Sequence, residues 1–291
     1  MQSKVGMLAR YPRASQLRGK KVVIKFGGSS IENPAELQRF AKDMALLVSL
    51  GISPVLVHGG GPEITEEMKR RDLPVKKVLG LRITDDVTLG VAKGVLSRIN
   101  DKVVRALQAA GLSAIGLAGT ECNTILCKKM PNIKGKDELG KDIEVDLGWV
   151  GEPVRSDPRT MDHLVNRGFI PVIYPICGDE EGRLMNVNAD TAACFVAKAV
   201  RAEDFLLVTD VPGLMRVFGD PSSVIPEIKV ADFQTLVSEG VVKDGMIPKL
   251  EACVIAVRDG VGTAHMIDGK NQDAIIGQLL TGKNYGTRIV P

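Results

Sequence analysis

Two glycine clusters carry the first chemical signal in the sequence, Lys25-Phe26-Gly27-Gly28-Ser29-Ser30 and His58-Gly59-Gly60-Gly61-Pro62. Each follows a run that reads as a buried strand, residues 22–24 before the first and 55–57 before the second. Glycine lets backbone N–H groups approach an anion closely, and the N-terminus of a following helix adds a favourable field. A single cluster would serve equally as a tight strand-to-helix turn, whereas two of them ending neighbouring strands favour an anion site. Lys25 closes the first strand, where an ammonium without a partner is costly to bury. A second lysine, in Asp244-Gly245-Met246-Ile247-Pro248-Lys249, sits in the opening of an apolar helix, and pattern alone slightly favours a solvated surface position for it. Asp190 starts another helix after Asn186-Val187-Asn188-Ala189, and N-capping is its plain structural reading. Residues 277–284 nearly spell a P-loop, but Asn284 stands where a serine or threonine must reach magnesium, so this is a chance match.

The elements that must position these residues alternate along the chain. Strand-like runs at 22–24, 55–57, 113–117, 170–174, 205–208 and 263–267 are separated by helical spacing. That spacing covers 35–50, a stretch from about Pro62, 86–110, 158–167, 189–200 and 246–257. On the long helix Val91, Val95, Ile99, Val103 and Leu107 share one face. Such alternation means βαβ units. The expected class is α/β, a three-layer α/β/α sandwich with a mainly parallel, open central sheet whose ligands sit at the carboxyl ends of its strands. Residues 120–150, dense in charge and carrying Gly135, Gly140 and Gly148, break the rhythm and predict a hairpin or flap. No linker divides the chain, so 1–20 reads as an N-terminal arm and 21–291 as a single domain.

Of the 291 residues 44% are hydrophobic, enough to bury a large core. With 38 basic against 35 acidic residues, the chain lacks the charge excess of a nucleic-acid or membrane-surface binder. No apolar run approaches the roughly 20 residues of a spanning helix, and a soluble protein is expected. Cys122, Cys127, Cys177, Cys194 and Cys253 form no CxxC and have no histidine at zinc-ligand spacing. They are expected as reduced thiols in apolar surroundings. Arg10, Arg13 and Arg18 lie in an acid-free opening stretch that faintly suggests a transit peptide, which Pro12 and the short length oppose.

Six motifs, in order, resemble the N-acetylglutamate kinases of the amino-acid kinase superfamily. They are Val-His-Gly-Gly-Gly-Pro at 57–62, Gly-Leu-Arg-Ile-Thr-Asp at 80–85, Met-Asn-Val-Asn-Ala-Asp at 185–190, Thr-Asp-Val-Pro-Gly at 209–213, Asp-Gly-Met-Ile-Pro-Lys at 244–249 and Gly-Thr-Arg-Ile at 286–289. The resemblance covers residues 20–291. It implies the amino-acid kinase fold and, in the cytoplasm, ATP-dependent phosphorylation of the side-chain carboxylate of N-acetyl-L-glutamate, a step of arginine biosynthesis. It implies that Lys25 and Lys249 flank the transferring phosphoryl group while Asp190 holds both. Gly60 and Gly61 would offer N–H donors on the substrate side, and Gly27 and Gly28 would do so nearer the phosphates. Arg82 would grip the carboxylate that does not react, and Asn186 would also bind substrate. Asp210, Val211, Pro212, Gly213, Leu214 and Met215, with Val241, Val242 and Lys243, would line the ATP site. The half at about 21–180 would bind the acyl-amino acid and dimerise, and 181–291 would bind ATP.

By the same resemblance Mg2+ would be required, bound mainly through the ATP phosphates, and neither nucleic acid nor membrane is a partner. A homodimer is the expected core unit, with a hexamer as the alternative. His265-Met266-Ile267-Asp268-Gly269 resembles the arginine-inhibited members, whereas residues 283–288 are closer to the insensitive ones, which leaves feedback by L-arginine open. Residues 119–123 depart from the family pattern, within the flap region. The alternative readings are a kinase for a related substrate such as carrier-linked aminoadipate, and an inactive nucleotide-binding regulator.

Overall fold

The computed structural model describes residues 10–27, 31, 33–78, 80–136, 142–243 and 245–291. A short helix α1 (Ala14–Leu17) leads into β1 (Lys21–Phe26), α2 (Pro34–Ser49), β2 (Ser53–His58) and α3 (Gly61–Arg70). A ribbon of β3 (Lys77–Val78) and β4 (Leu81–Arg82) precedes the long α4 (Asp86–Ala109) and β5 (Ala114–Ala118). Then come β6 (Ile125–Lys129), β7 (Ile133–Lys136), β8 (Asp142–Val145), β9 (Val150–Ser156), α5 (Arg159–Asn166), β10 (Ile170–Tyr174), β11 (Ile176–Gly178) and β12 (Leu184–Val187). The rest is α6 (Ala189–Ala199), β13 (Asp204–Thr209), β14 (Glu227–Lys229), α7 (Phe233–Ser238), α8 (Met246–Arg258), β15 (Thr263–Asp268) and β16 (Gly286–Val290). Caps mark the helix starts: Asn33 accepts from the Ala35 amide ahead of α2, with Pro34 at its first position, and Asp85 accepts from Thr88 ahead of α4.

One sheet of eight strands runs through the whole molecule in the order β14-β16-β15-β13-β1-β2-β10-β5. The strands from β15 to β5 are parallel, and β16 joins antiparallel to β15. Alternate side chains feed two cores, as the period of two demands. Val23, Val57, Ile173 and Phe205 pack with Val196 of α6 and Leu250 of α8. On the opposite face Val22, Leu56, Val172 and Leu206 pack with Met44 of α2 and Val95 of α4. The expected α/β/α sandwich is therefore present, and its sheet is continuous across both halves.

Three findings modify the sequence reading. The expected hairpin is there, as β7 and β8, but β6, β9, β11 and β12 also close into a four-stranded barrel that was not foreseen. The described part of the arm is docked, with Tyr11, Ala14 and Leu17 buried in the core. Nη2 of its Arg13 lies 3.3 Å from Oδ2 of the buried Asp204, whose Oδ1 meets Nε2 of His265 at 2.6 Å. Four of the cysteines are buried, but Cys122 is exposed, contrary to the expectation of apolar surroundings, in a tight turn with φ of 51°.

Candidate active site

Parallel pairing sets Lys25 opposite Val57 and Phe26 opposite His58, so the two glycine turns begin side by side. The Gly59 amide donates to the Phe26 carbonyl at 3.1 Å and ties them together. Gly60 precedes α3, and a Cβ there would come within 2.6 Å of Ile99 Cδ1 and 2.9 Å of Leu96 Cδ2 on α4. A side chain at Gly60 would therefore require Ile99 and Leu96 to shift on α4. Gly27 and Gly61 line the same cleft, while Gly28 lies outside the described residues.

At the floor of the cleft Oδ1 of Asp190 meets Nζ of Lys25 at 2.8 Å, and its Oδ2 meets Nζ of Lys249 at 2.8 Å. Asp190 does not cap its helix. Asn188 does, its Oδ1 accepting from the Asp190 and Thr191 amides at 2.9 and 3.0 Å, and this leaves the carboxylate of Asp190 free for the lysines. Nor is Lys249 a solvated surface residue, its side chain being only 27% exposed. Burial pushes the Asp190 carboxyl up, but the two ammonium groups together hold it below the usual carboxylate value. Two positive charges thus share one negative charge beside the glycines of the two turns, and the surplus suits an anion.

Arg82, at the end of β4, supplies a further cation. It is buried, with Nη2 donating to the Gly61 carbonyl at 3.0 Å and to Thr65 Oγ1 at 2.7 Å. Among the described residues it forms no ion pair, and burial lowers its pKa. A guanidinium so placed is ready for a carboxylate with which it can form a forked pair. Asn186, on β12, lines the cleft from the barrel side and reaches Thr84 Oγ1 at 3.5 Å.

The cleft thus gathers Lys25, Gly27, Gly60, Gly61, Arg82, Asn186, Asp190 and Lys249, but not residues 210–215 or 241–243. The first of those two groups follows β13, whose Leu207 pairs with Lys25, so it lies at the same edge of the sheet. There the Leu214 amide donates to Thr287 Oγ1 at 2.8 Å. The second group follows α7 and leads towards the helix of Lys249. Sequence reasoning missed Lys77, which lines the cleft from the ribbon, and the cap Asn188, for which a side chain two residues before a helical carboxylate was an available signal. No group of three or more His, Cys, Asp or Glu that could hold a metal exists among the described residues. With Asp190 engaged by two lysines, the cleft fits a metal carried on a ligand's own phosphates rather than one caged by protein.

Comparison with known proteins bears on the family and the fold. The model of the amino acid kinase family matches residues 20–268. The acetylglutamate kinase of Methanothrix thermoacetophila is 45% identical over 271 residues, 92% of this chain and 91% of that one. The acetylglutamate kinase of Heliobacterium modesticaldum is 40% identical over 289 residues, covering 99% and 98%. Among solved structures, the N-acetylglutamate synthase of Neisseria gonorrhoeae, complexed with coenzyme A and N-acetyl-glutamate, superposes with a TM-score of 0.83 at 22% identity. That likeness covers 100% of this chain and 64% of the synthase, and it bears on the fold alone.

Proposed function

The chain belongs to the amino acid kinase family, and from that premise we propose that its cleft phosphorylates N-acetyl-L-glutamate from ATP, a step of arginine biosynthesis. The observation that carries this reading is the Lys25–Asp190–Lys249 unit, set in one cleft with Gly60, Gly61 and Arg82. Arg82 takes the α-carboxylate of the substrate, and Asn186 contacts its acyl-amide end. The γ-carboxylate is then directed at the lysines. It is ionised at neutral pH and attacks the γ-phosphorus of ATP in line while the bond to the β–γ bridging oxygen breaks and ADP leaves, so no general base is needed. Lys25 and Lys249 neutralise the equatorial oxygens as charge builds, Asp190 fixes both ammonium groups, and Gly60 and Gly61 donate N–H bonds to the transferring group. Residues 210–215 and 241–243, with Gly27 and Gly28, receive the nucleotide. Magnesium, arriving on the ATP phosphates, supplies further neutralisation of charge; excess chelator should abolish turnover, and undiminished activity would remove the metal from the account.

The reaction is tested by incubating the protein with ATP and N-acetyl-L-glutamate and trapping the acyl phosphate with hydroxylamine. Hydroxamate that depends on both substrates is expected. Its formation only with a carrier-linked aminoadipate, or ATP binding without any turnover, would replace this reading. We place the reaction in the cytoplasm, where its nucleotide is, and take a homodimer as the working unit; light scattering that finds a monomer or a hexamer would revise that state.

A further inference from the structure

His58 ends β2 with its ring wholly buried, about 6.2 Å from both the Phe26 and the Tyr174 ring centroids. It does not line the cleft, yet its Nδ1 reaches the Gly59 carbonyl of the 59–61 turn. We propose that His58 and Asn100 form a positioning pair that decides which way the 59–60 peptide faces, and hence whether the Gly60 N–H is presented to the transferring phosphoryl group. The inference rests on the reading of the reaction given above.

The proton arrangement follows from the partners. Asn100, on α4, lies 2.8 Å from the Val172 carbonyl, which can only accept, so the amide nitrogen of Asn100 must be the atom facing it. Its second N–H then points at Nε2 of His58, 3.0 Å away. Its oxygen fills space left open because Gly116 has no Cβ. Nε2 facing a donor must be bare, so the proton of the neutral ring sits on Nδ1, which donates to the Gly59 carbonyl at 2.9 Å. Burial, together with the charge of Lys25, pushes the histidine down to about 4 despite its bond to Gly59, so the neutral ring persists at physiological pH.

The C=O and N–H of a trans peptide point in opposite directions. Holding the Gly59 carbonyl towards the ring therefore turns the Gly60 N–H to the other side, where Gly59 and Gly60 line the cleft. In that turn neither glycine resists peptide rotation by itself, since Gly has no Cβ to restrict it. A rigid imidazole, locked in one tautomer by a buried amide, supplies the missing restraint. Pre-aimed donors of this kind are worth most when charge develops in the transition state.

Two measurements test the pair. The first is the nitrogen spectrum of the complete, histidine-labelled chain near neutral pH. One of the three histidines should carry its proton on Nδ1 with Nε2 bare, that signal should vanish in His58→Asn, and in Asn100→Leu the bare-nitrogen resonance should move downfield as it loses its N–H donor. An Nε2-protonated His58 in the unaltered chain, or a bare-nitrogen resonance that Asn100→Leu leaves unmoved, overturns the proposal.

The second is kinetic. The side-chain amide of His58→Asn falls near the old Nδ1 and can still donate to Gly59, whereas that of His58→Gln falls near Nε2 and cannot. Rescue by the conservative variant means that His58→Asn holds turnover within about fivefold of the parent, while His58→Gln loses roughly 100-fold in kcat with little change in KM for ATP. Equal losses, a larger loss in His58→Asn, or losses that simply follow the melting temperatures overturn it. If the unaltered chain makes no acyl phosphate, the reading of the reaction falls, and the nitrogen spectrum still decides the pair.

Discussion

Lys25, Asp190 and Lys249 work as one charged unit, and their coupling dictates how mutations combine. Removing a donor from a charge-stabilising site costs on the order of 10²–10³ in turnover, and Lys25→Ala or Lys249→Ala should each show a loss of that size with both Michaelis constants barely moved. Asp190→Asn should lose comparably, since two ammonium groups 2.8 Å from its oxygens are left facing each other. The double lysine variant should fall far short of the product of the single losses. Near-normal turnover in either single variant, in protein whose melting curve is intact, removes the lysines from the mechanism. Because the folded pKa of Asp190 is depressed, its contribution to stability is present above the unfolded value of 3.8 and fades as pH falls through the folded value. Arg82→Lys should chiefly raise KM for the acyl-amino acid, because an ammonium cannot make the forked pair; a rise in KM for ATP instead would move the residue to the nucleotide side. How visible these residues were depended on their neighbours. Lys25 was visible because a lysine closing an apolar strand is anomalous. Asp190 was ambiguous because Asn188 and Asp190 are both good caps, and only the folded geometry shows that the first of them takes the amides.

At the scale of elements, long periodic segments were legible and short ones were not. Helices α4 and α6 fall within a residue of the ranges expected from spacing, since many buried positions vote on each. The barrel strands escaped because β11 and β12 hold three and four residues, too few to show a period, and because β6 is bulged between Leu126 and Cys127. Asn100 was passed over on a face read only for its apolar residues, although a polar side chain between Ile99 and Val103 was itself a signal. Helix α2 carries another such misfit. Burial pushes Asp43 up to about 7, against the opposing pull of Arg39 and with Asp273 adding to the rise. As pH climbs from 3.8 towards 7 the unfolded chain releases this proton while the folded chain keeps it, so stability falls across that window. Asp43→Asn should therefore raise the melting temperature, by an amount that grows from pH 4 to pH 7. A gain independent of pH would mean that the carboxyl is already ionised in the folded protein.

Across the whole molecule, the chemistry and the arm occupy opposite edges of one sheet. The cleft lies where β1 and β2 end, whereas Asp204 stands at the start of β13, held there by Arg13 and His265. Arg13→Ala should lower stability by roughly 1–3 kcal/mol, as expected when a buried charge loses a hydrogen-bond partner, and leave the Michaelis constants unchanged. A kinetic effect without a thermal one would contradict that separation. The sandwich was legible from alternation, but the edge order was not, since it depends on pairings between segments far apart in the chain.

That edge order bears on how the protein is made. Among the described residues, strand β14 reaches the sheet only through β16, and the Arg13 backbone amide donates to the carbonyl of Leu280. Strands β1, β2, β5, β10, β13 and β15 find their partners among themselves. Until residues 286–290 follow, however, β14 has nothing to pair with, and the outer margin of β15 shows bare amides and carbonyls to its surroundings. An unpaired margin of that kind is open to strands of neighbouring molecules, and β16, last of the described strands, closes it.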